Sequence, residues 1–406
     1  MRLSSRVVLE LATVFVAGGA MVVGGRWALQ ELGGTRTASA AERTESVAPP
    51  VAAPSPGPVA QPVLPEPVPP VLAGPVPPVA VPPLLPLAAP APPEQPALAP
   101  SPSPAAEHTE STPAGWAFHG VSDAELLGPL RAATTVTEVR FNRGGSSVSL
   151  RVDFENGARG SFKPEQIDPQ TTPRKEIAAY RLDRLLHLGC VPPSIPMVLE
   201  RDDIMKTLEK DSIVLRGRIK REVTWKKGRA LGEIAWWIPV ILPARFRGER
   251  LDHDAGALLW WKALSVRSRV TEPEKAMLSQ ISNMILFDFL TNNTDRFSGG
   301  NALMSEDRKL LYYMDNALSF MPDRDGHDKL QRFLGRVQRV SRKMIEEIRG
   351  LTREDVVAEM GRDTGVLGQL LTAREVDALF SRRNHLLRYV DKLVDKYGEA
   401  EVYYFE

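Results

Sequence analysis

Five side chains, met in the order Lys163, Glu176, Asp295, Asn301 and Asp315, are of the types that phosphoryl transfer needs. That chemistry asks for few parts: a carboxylate to orient the attacking hydroxyl, a second carboxylate and an amide oxygen to hold a metal on the phosphates, a lysine to neutralise them, and an acid on a nearby helix to steady the lysine. Each part has a plainer reading too. Asp295 beside Arg296 also fits a surface ion pair. Asp315-Asn316 suits a turn, Lys163 before Pro164 suits an ordinary strand end, and Glu176 suits the first turn of any helix. The order of the five, each on a fitting element, is what favours the chemical reading.

The elements that must position them can be read from pattern. Val136, Val139 and Phe141 mark a first strand, and Val148, Leu150, Val152 and Phe154 alternate cleanly through a second. Asn156-Gly157 predicts a tight hairpin turn, with a return strand over 158–163 that ends at Lys163. Thr172-Pro173 predicts a helix start, with Thr172 as the capping hydroxyl and Ala178, Leu182, Leu185 and Leu186 as its apolar stripe. Residues 194–245 mix short apolar runs with a basic stretch and end in a strand-like segment from Ala235 to Leu242. Beyond that the pattern is helical: Thr271 and Glu274 form a capping box before Met277, Leu278, Ile281, Met284, Ile285 and Phe289. Leu379, Leu386, Val390 and Leu393 mark a long helix near the end. The polar loop 294–301 follows a helix, two short strands follow the loop, and Asp315 closes them.

The segments RGSFKP (159–164), RKEIAAYRLDRLLHLGCVPP (174–193), NNTDRFSGGN (292–301) and YMDNALSF (313–320) resemble the atypical secretory-pathway kinases, the group of Golgi casein kinase, xylose kinase and four-jointed. They resemble HipA toxin kinases and phosphatidylinositol 3/4-kinases more distantly. The likeness covers about 160–320. It implies an α+β, bilobal protein-kinase-like fold, with a small β-rich N-lobe over 116–245 and a helical C-lobe over 246–406. It implies ATP, and Mg²⁺ or Mn²⁺, as cofactors. It places Lys163 on the ATP phosphates, Glu176 against Lys163 or the metal, Asp295 as catalytic base and Asp315 on the metal, at the head of Asp-Asn-Ala where typical kinases have Asp-Phe-Gly. Asn301 joins the metal site one residue later than in typical protein kinases. Gly144-Gly145 is the only candidate for a phosphate-covering loop. The animal members are rich in cysteine; this chain has only Cys190, which reads as a small core residue and suggests a bacterial relative.

The rest of the chain speaks to placement. Residues 7–25 are apolar for about 19 residues, the length that spans a bilayer core. Arg2 and Arg6 before them favour a cytoplasmic N-terminus. Residues 1–30 are therefore expected to be a signal anchor, or a signal peptide cut after Ala38-Ser39-Ala40. Of the 35 prolines, 23 fall between Pro49 and Pro104, so 31–115 is expected to be a disordered, extended linker. The domain would stand outside the cytoplasm, at a bacterial inner membrane. The net charge of +1 gives no field for nucleic acid. A single cysteine and scattered histidines exclude a thiolate or zinc site of ordinary spacing.

The expected function is ATP-dependent phosphorylation of a hydroxyl on an exported protein serine or threonine, or on a glycan. The rivals are a non-catalytic, membrane-anchored binding protein of the envelope, a pseudokinase that binds nucleotide without turnover, and a lipid kinase.

Overall fold

The computed structural model describes residues 112–142, 146–209, 213–298 and 300–406. The expected membrane segment, most of the proline-rich linker, and the pair Gly144 and Gly145 lie outside the described residues. Among the described residues no helix is long and apolar enough to cross a membrane.

An antiparallel sheet forms the first half of the domain. Its main strands are β1 (Val136–Phe141), β2 (Leu150–Phe154), β3 (Arg159–Pro164), β4 (Ser194–Glu200) and β5 (Arg229–Trp236), in the spatial order β1-β2-β3-β5-β4. A short sixth strand, Trp225–Lys226, pairs with β5. The Asn156-Gly157 turn is made as expected: Gly157 takes φ +83°, open to glycine without strain. Because side chains alternate across a pleat, the sheet has two distinct faces. The row Leu150, Phe162, Ile234 and Ile195 is buried in the core. The next row, displaced by one residue, presents Lys163 and Glu233 directly opposite each other.

The strand expected from Ala235 to Leu242 is displaced. The observed strand β5 runs from Arg229 to Trp236, and Leu242–Pro243 is a separate short strand, β6. The reason is tertiary: β5 is flanked on both sides, by β3 and by β4, so it buries Gly232 and Glu233 in a segment whose sequence does not alternate. Gly232 permits this closeness, since a Cβ there would lie 2.4 Å from the Lys163 carbonyl oxygen.

Helix α1 (Asp123–Arg131) precedes the sheet and α2 (Pro173–Leu185) packs beneath it. Pro173 takes the first turn of α2, but Thr172 makes no capping hydrogen bond; its hydroxyl donates instead to the Pro169 carbonyl, 3.3 Å away. Buried charges fasten α2 to α1. Arg184 donates from Nε and Nη2 to the two carboxylate oxygens of Asp123 at 2.7 and 3.0 Å, and Tyr180 donates its hydroxyl to Asp123 at 3.0 Å. Asp183 accepts from the backbone N–H groups of Cys190 and Val191. Cys190 is buried, and burial pushes its thiol well up, as suits a core residue.

The second half is helical. Helix α3 (Arg201–Thr207) and α4 (Ile213–Glu222) flank the sheet; α5 (Asp254–Ala263), α6 (Glu272–Thr291), α7 (Asp328–Leu334), α8 (Arg342–Gly350), α9 (Arg353–Gly361) and α10 (Ala373–Tyr397) follow. Helix α6 is the central element, buried along most of its last three turns. A three-stranded ladder joins β6 to β7 (Leu303–Met304) and β8 (Leu311–Tyr312). Trp260 is wholly buried in the core. This mixed architecture, a small sheet half followed by a helical half, is the expected fold class in its broad form.

Candidate active site

Lys163 is the penultimate residue of β3 and points from the sheet into a cleft of about 570 Å³. Glu176, in the first turn of α2, accepts from Lys163 Nζ through Oε1. Its other oxygen accepts from the Asn316 backbone N–H at 2.8 Å. Lys163 Nζ also donates to Asp315 Oδ1 at 2.9 Å. The ammonium therefore ties a strand, a helix and the loop after β8, across up to 152 residues of sequence. Burial alone would lower the Lys163 ammonium; Asp315, Glu176 and Glu233 outweigh it and hold the group well above its ordinary value. In return Lys163 holds the Asp315 carboxyl below the usual range, against burial.

The loop after α6 is built by buried polar groups. Asn292 ends the helix at φ +56°, a left-handed cap that asparagine tolerates. Asn293 is buried, donates to Asn316 Oδ1 at 3.1 Å and to the Asp315 carbonyl at 3.3 Å, and accepts from the Asp295 backbone N–H. Arg296 is wholly buried. It pairs with Asp288 at 3.2 Å, donates to Asn316 Oδ1 at 2.8 Å and donates to the Met314 carbonyl. The reading of Asp295 and Arg296 as a surface ion pair is thus corrected: Arg296 turns inward and clamps the loop to the segment carrying Asp315. Asp315 itself sits at φ +57°. Left-handed backbone at a non-glycine residue is strained, and here the surrounding hydrogen bonds fix it.

Asp295, at the head of this loop, accepts through Oδ2 from Asn301 Nδ2 at 2.7 Å. Asn301 lines the same cleft as Lys163, Glu176 and Asp315. With its amide nitrogen given to Asp295, Asn301 keeps its oxygen as an acceptor for a cation. Asp315 does not close the β7–β8 hairpin; it lies three residues beyond Tyr312, where β8 has ended. Among the described residues no group of three or more carboxylate, histidine or cysteine side chains is gathered into a metal shell. The structure brings Lys163, Glu176, Asn301 and Asp315 into one cleft, with Asp295 joined to it through Asn301. Gly144 and Gly145, expected to cover the phosphates, lie outside the described residues.

One acid was absent from the sequence expectations. Glu233 stands opposite Lys163 on β5, is only 3% exposed, and lines the cleft. Its Oε2 has no hydrogen-bond partner. Burial, with Glu176 beside it, pushes its carboxyl well up, against the pull of Lys163. The only sequence signal was its place four residues beyond a basic stretch, in a strand whose pattern is broken by Gly232.

Comparison with known proteins bears on this arrangement. Residues 144–326 match the four-jointed box protein middle domain. Human four-jointed box protein 1 is 30% identical over 192 residues, 44% of this chain and 39% of that protein. Over these residues the chain is similar to the four-jointed group of atypical secretory-pathway kinases. Its match thus spans well under half the length of that human relative. Solved structures share its fold. A Golgi casein kinase superposes with a TM-score of 0.53 at 15% identity, over 69% of this chain and 78% of the other. A hydra Fam20 structure with sugar gives 0.54 at 18% identity, over 69% and 92%. A Golgi casein kinase with Mn and ADP bound gives 0.54 at 14% identity, over 69% and 78%. At these identities the superpositions speak to the fold alone, with its sheet and helical halves.

Proposed function

We propose that this chain is an ATP-dependent phosphotransferase that phosphorylates a hydroxyl of an exported protein serine or threonine, or of a glycan. The observation that carries the reading is the ammonium of Lys163, held between Glu176 and Asp315 at the wall of one cleft. Such a lysine is the natural counterion for nucleotide phosphates, and the acid that steadies it is in place. The Mn and ADP of the Golgi casein kinase structure support ATP with Mn²⁺ or Mg²⁺ as cofactors.

The donors present fit such an ion. Asp315 and Asn301 offer hard oxygens, and small dications of this kind take one or two carboxylates and complete their shell with phosphate oxygens and water. The bound ion would neutralise charge between the phosphates. Asp315 and Asn301 would hold it, with Glu176 close by. Lys163 would neutralise the phosphates from the sheet side. Asp295, its Oδ2 fixed by Asn301, would turn Oδ1 to the acceptor hydroxyl and take its proton as the phosphoryl group moves. The apolar run 7–25 and the proline-rich tract support a domain tethered outside the cytoplasm; a reporter fused after Glu406 tests the side.

The test is transfer of radiolabelled phosphate from ATP with Mn²⁺ to casein-like peptides and to oligosaccharides, by wild type, Asp295→Ala and Asp315→Ala. Near-complete loss in both variants is expected, with nucleotide binding largely kept in Asp295→Ala. Equal labelling by all three proteins would sink the proposal.

A further inference from the structure

Three carboxylates lie about the Lys163 ammonium: Glu176 and Asp315 touch it, and Glu233 stands opposite on the neighbouring strand. Two of them accept its hydrogen bonds. The third, Glu233, has an oxygen that is buried and unbonded. Leaving such an oxygen bare is costly, and native proteins seldom do it without a role for the group.

We propose that Glu233 is the reserve counterion of Lys163, a positioning residue that takes over the ammonium's hydrogen bond when a cation claims Asp315. The inference rests on the phosphotransferase reading. Its geometry comes from the sheet. Lys163 and Glu233 are cross-strand partners on β3 and β5, projecting from the same face. Gly232 lets the two strands approach at this point, where any Cβ would strike the Lys163 carbonyl. Asp315, by contrast, is on a loop, and its side chain is 42% exposed. It is the partner that can turn away to a ligand; Glu176 is held at its second oxygen by the Asn316 backbone.

The charge count points the same way. While Asp315 accepts from Lys163, Glu233 is surplus. Once Asp315 serves a dication, Lys163 loses one of two acceptors, and an ammonium in so buried a place needs another. Glu233 is rooted on a central strand and supplies it. A third N–H of the ammonium then stays free for a phosphate oxygen. Lys163 would thereby keep its place on the sheet through loading, instead of following Asp315.

The test measures affinity for ADP with Mn²⁺ and for ADP alone, with unliganded thermal stability, in wild type, Glu233→Gln, Lys163→Met and the double variant. Glu233→Gln is expected to unfold no lower than wild type, since the unbonded acid is gone. It should weaken Mn–ADP binding at least tenfold, and metal-free ADP binding by less than threefold. In the Lys163→Met background Glu233→Gln should add nothing, which separates action through Lys163 from a direct contact. Mn–ADP binding within twofold of wild type overturns the inference and leaves the nucleotide reading standing. So does a large fall in unliganded stability, which would make Glu233 a structural counterion. Failure of wild type to bind Mn–ADP removes both.

Discussion

Two buried charge clusters sit on opposite ends of helix α2, and they are satisfied to different degrees. At the C-terminal end, Arg184 serves Asp123 and Asp183, and hydrogen bonds reach both oxygens of each carboxylate. At the N-terminal end, Glu176 and Asp315 share Lys163, while Glu233 stands across the strands with one oxygen left bare. The first cluster is complete without a ligand and holds helix to helix. The second holds an acid that its cation does not bond, and its exposed member lies on a strained loop. A saturated buried cluster is a fastening; an unsaturated one facing a cleft is prepared for something that arrives.

Substitutions can break that contrast. The largest effect belongs to the unsaturated cluster: Asp315→Asn should cut phosphate transfer by about 10³-fold, with little change in unfolding temperature, measured on the same preparation. A matching fall in stability would erase the distinction between the clusters. Arg184→Met should do the opposite. It leaves Asp123 and Asp183 buried without a counterion and should cost about 3 to 5 kcal/mol in denaturant unfolding.

Asp288 sharpens the comparison, because its cluster is buried yet holds the loop that carries Asp295. Burial raises its carboxyl to about 6, outweighing Arg296. The fold thus holds this proton more tightly than the unfolded chain does. The stabilising contribution is full below the unfolded value near 4 and is lost as pH rises through about 6. The stability difference between wild type and Asp288→Asn should therefore fall by about 2 to 3 kcal/mol across that window, and be flat above it. A difference independent of pH between 4 and 7 would contradict this. The smallest effect belongs to the exposed pair Arg353–Asp377, 2.7 Å apart. Arg353→Ala should change stability by less than about 1 kcal/mol, and less again in high salt.

The hairpin at Asn156-Gly157, the start of α2 at Pro173, the span of α6 and the long helix α10 were all legible, because each carries a local signal: a turn dipeptide, a fixed φ, or an apolar stripe. The residue types for phosphoryl transfer were legible as well, because carboxylates and a lysine at element ends are visible in one dimension. Two things were not. Arg296 looked like a solvent partner for its neighbour Asp295, since nothing local shows that Asp288, two turns earlier, is buried in its reach. Glu233 looked like one charge among many, since its strand became a strand only by pairing with β3 and β4.

By itself, then, the sequence determined the order of elements and the kinds of groups available for chemistry, because turns, caps and periodicity are set by neighbouring residues. Which groups meet was decided by tertiary structure alone. Register between β3 and β5 puts Glu233 opposite Lys163, and burial turns Arg296 into a clamp. Contacts across 152 residues make Lys163 and Asp315 partners. Pairing across strands and desolvation in a core have no signature within a short window of chain, so only the folded molecule could show that this site holds one acid more than its lysine bonds.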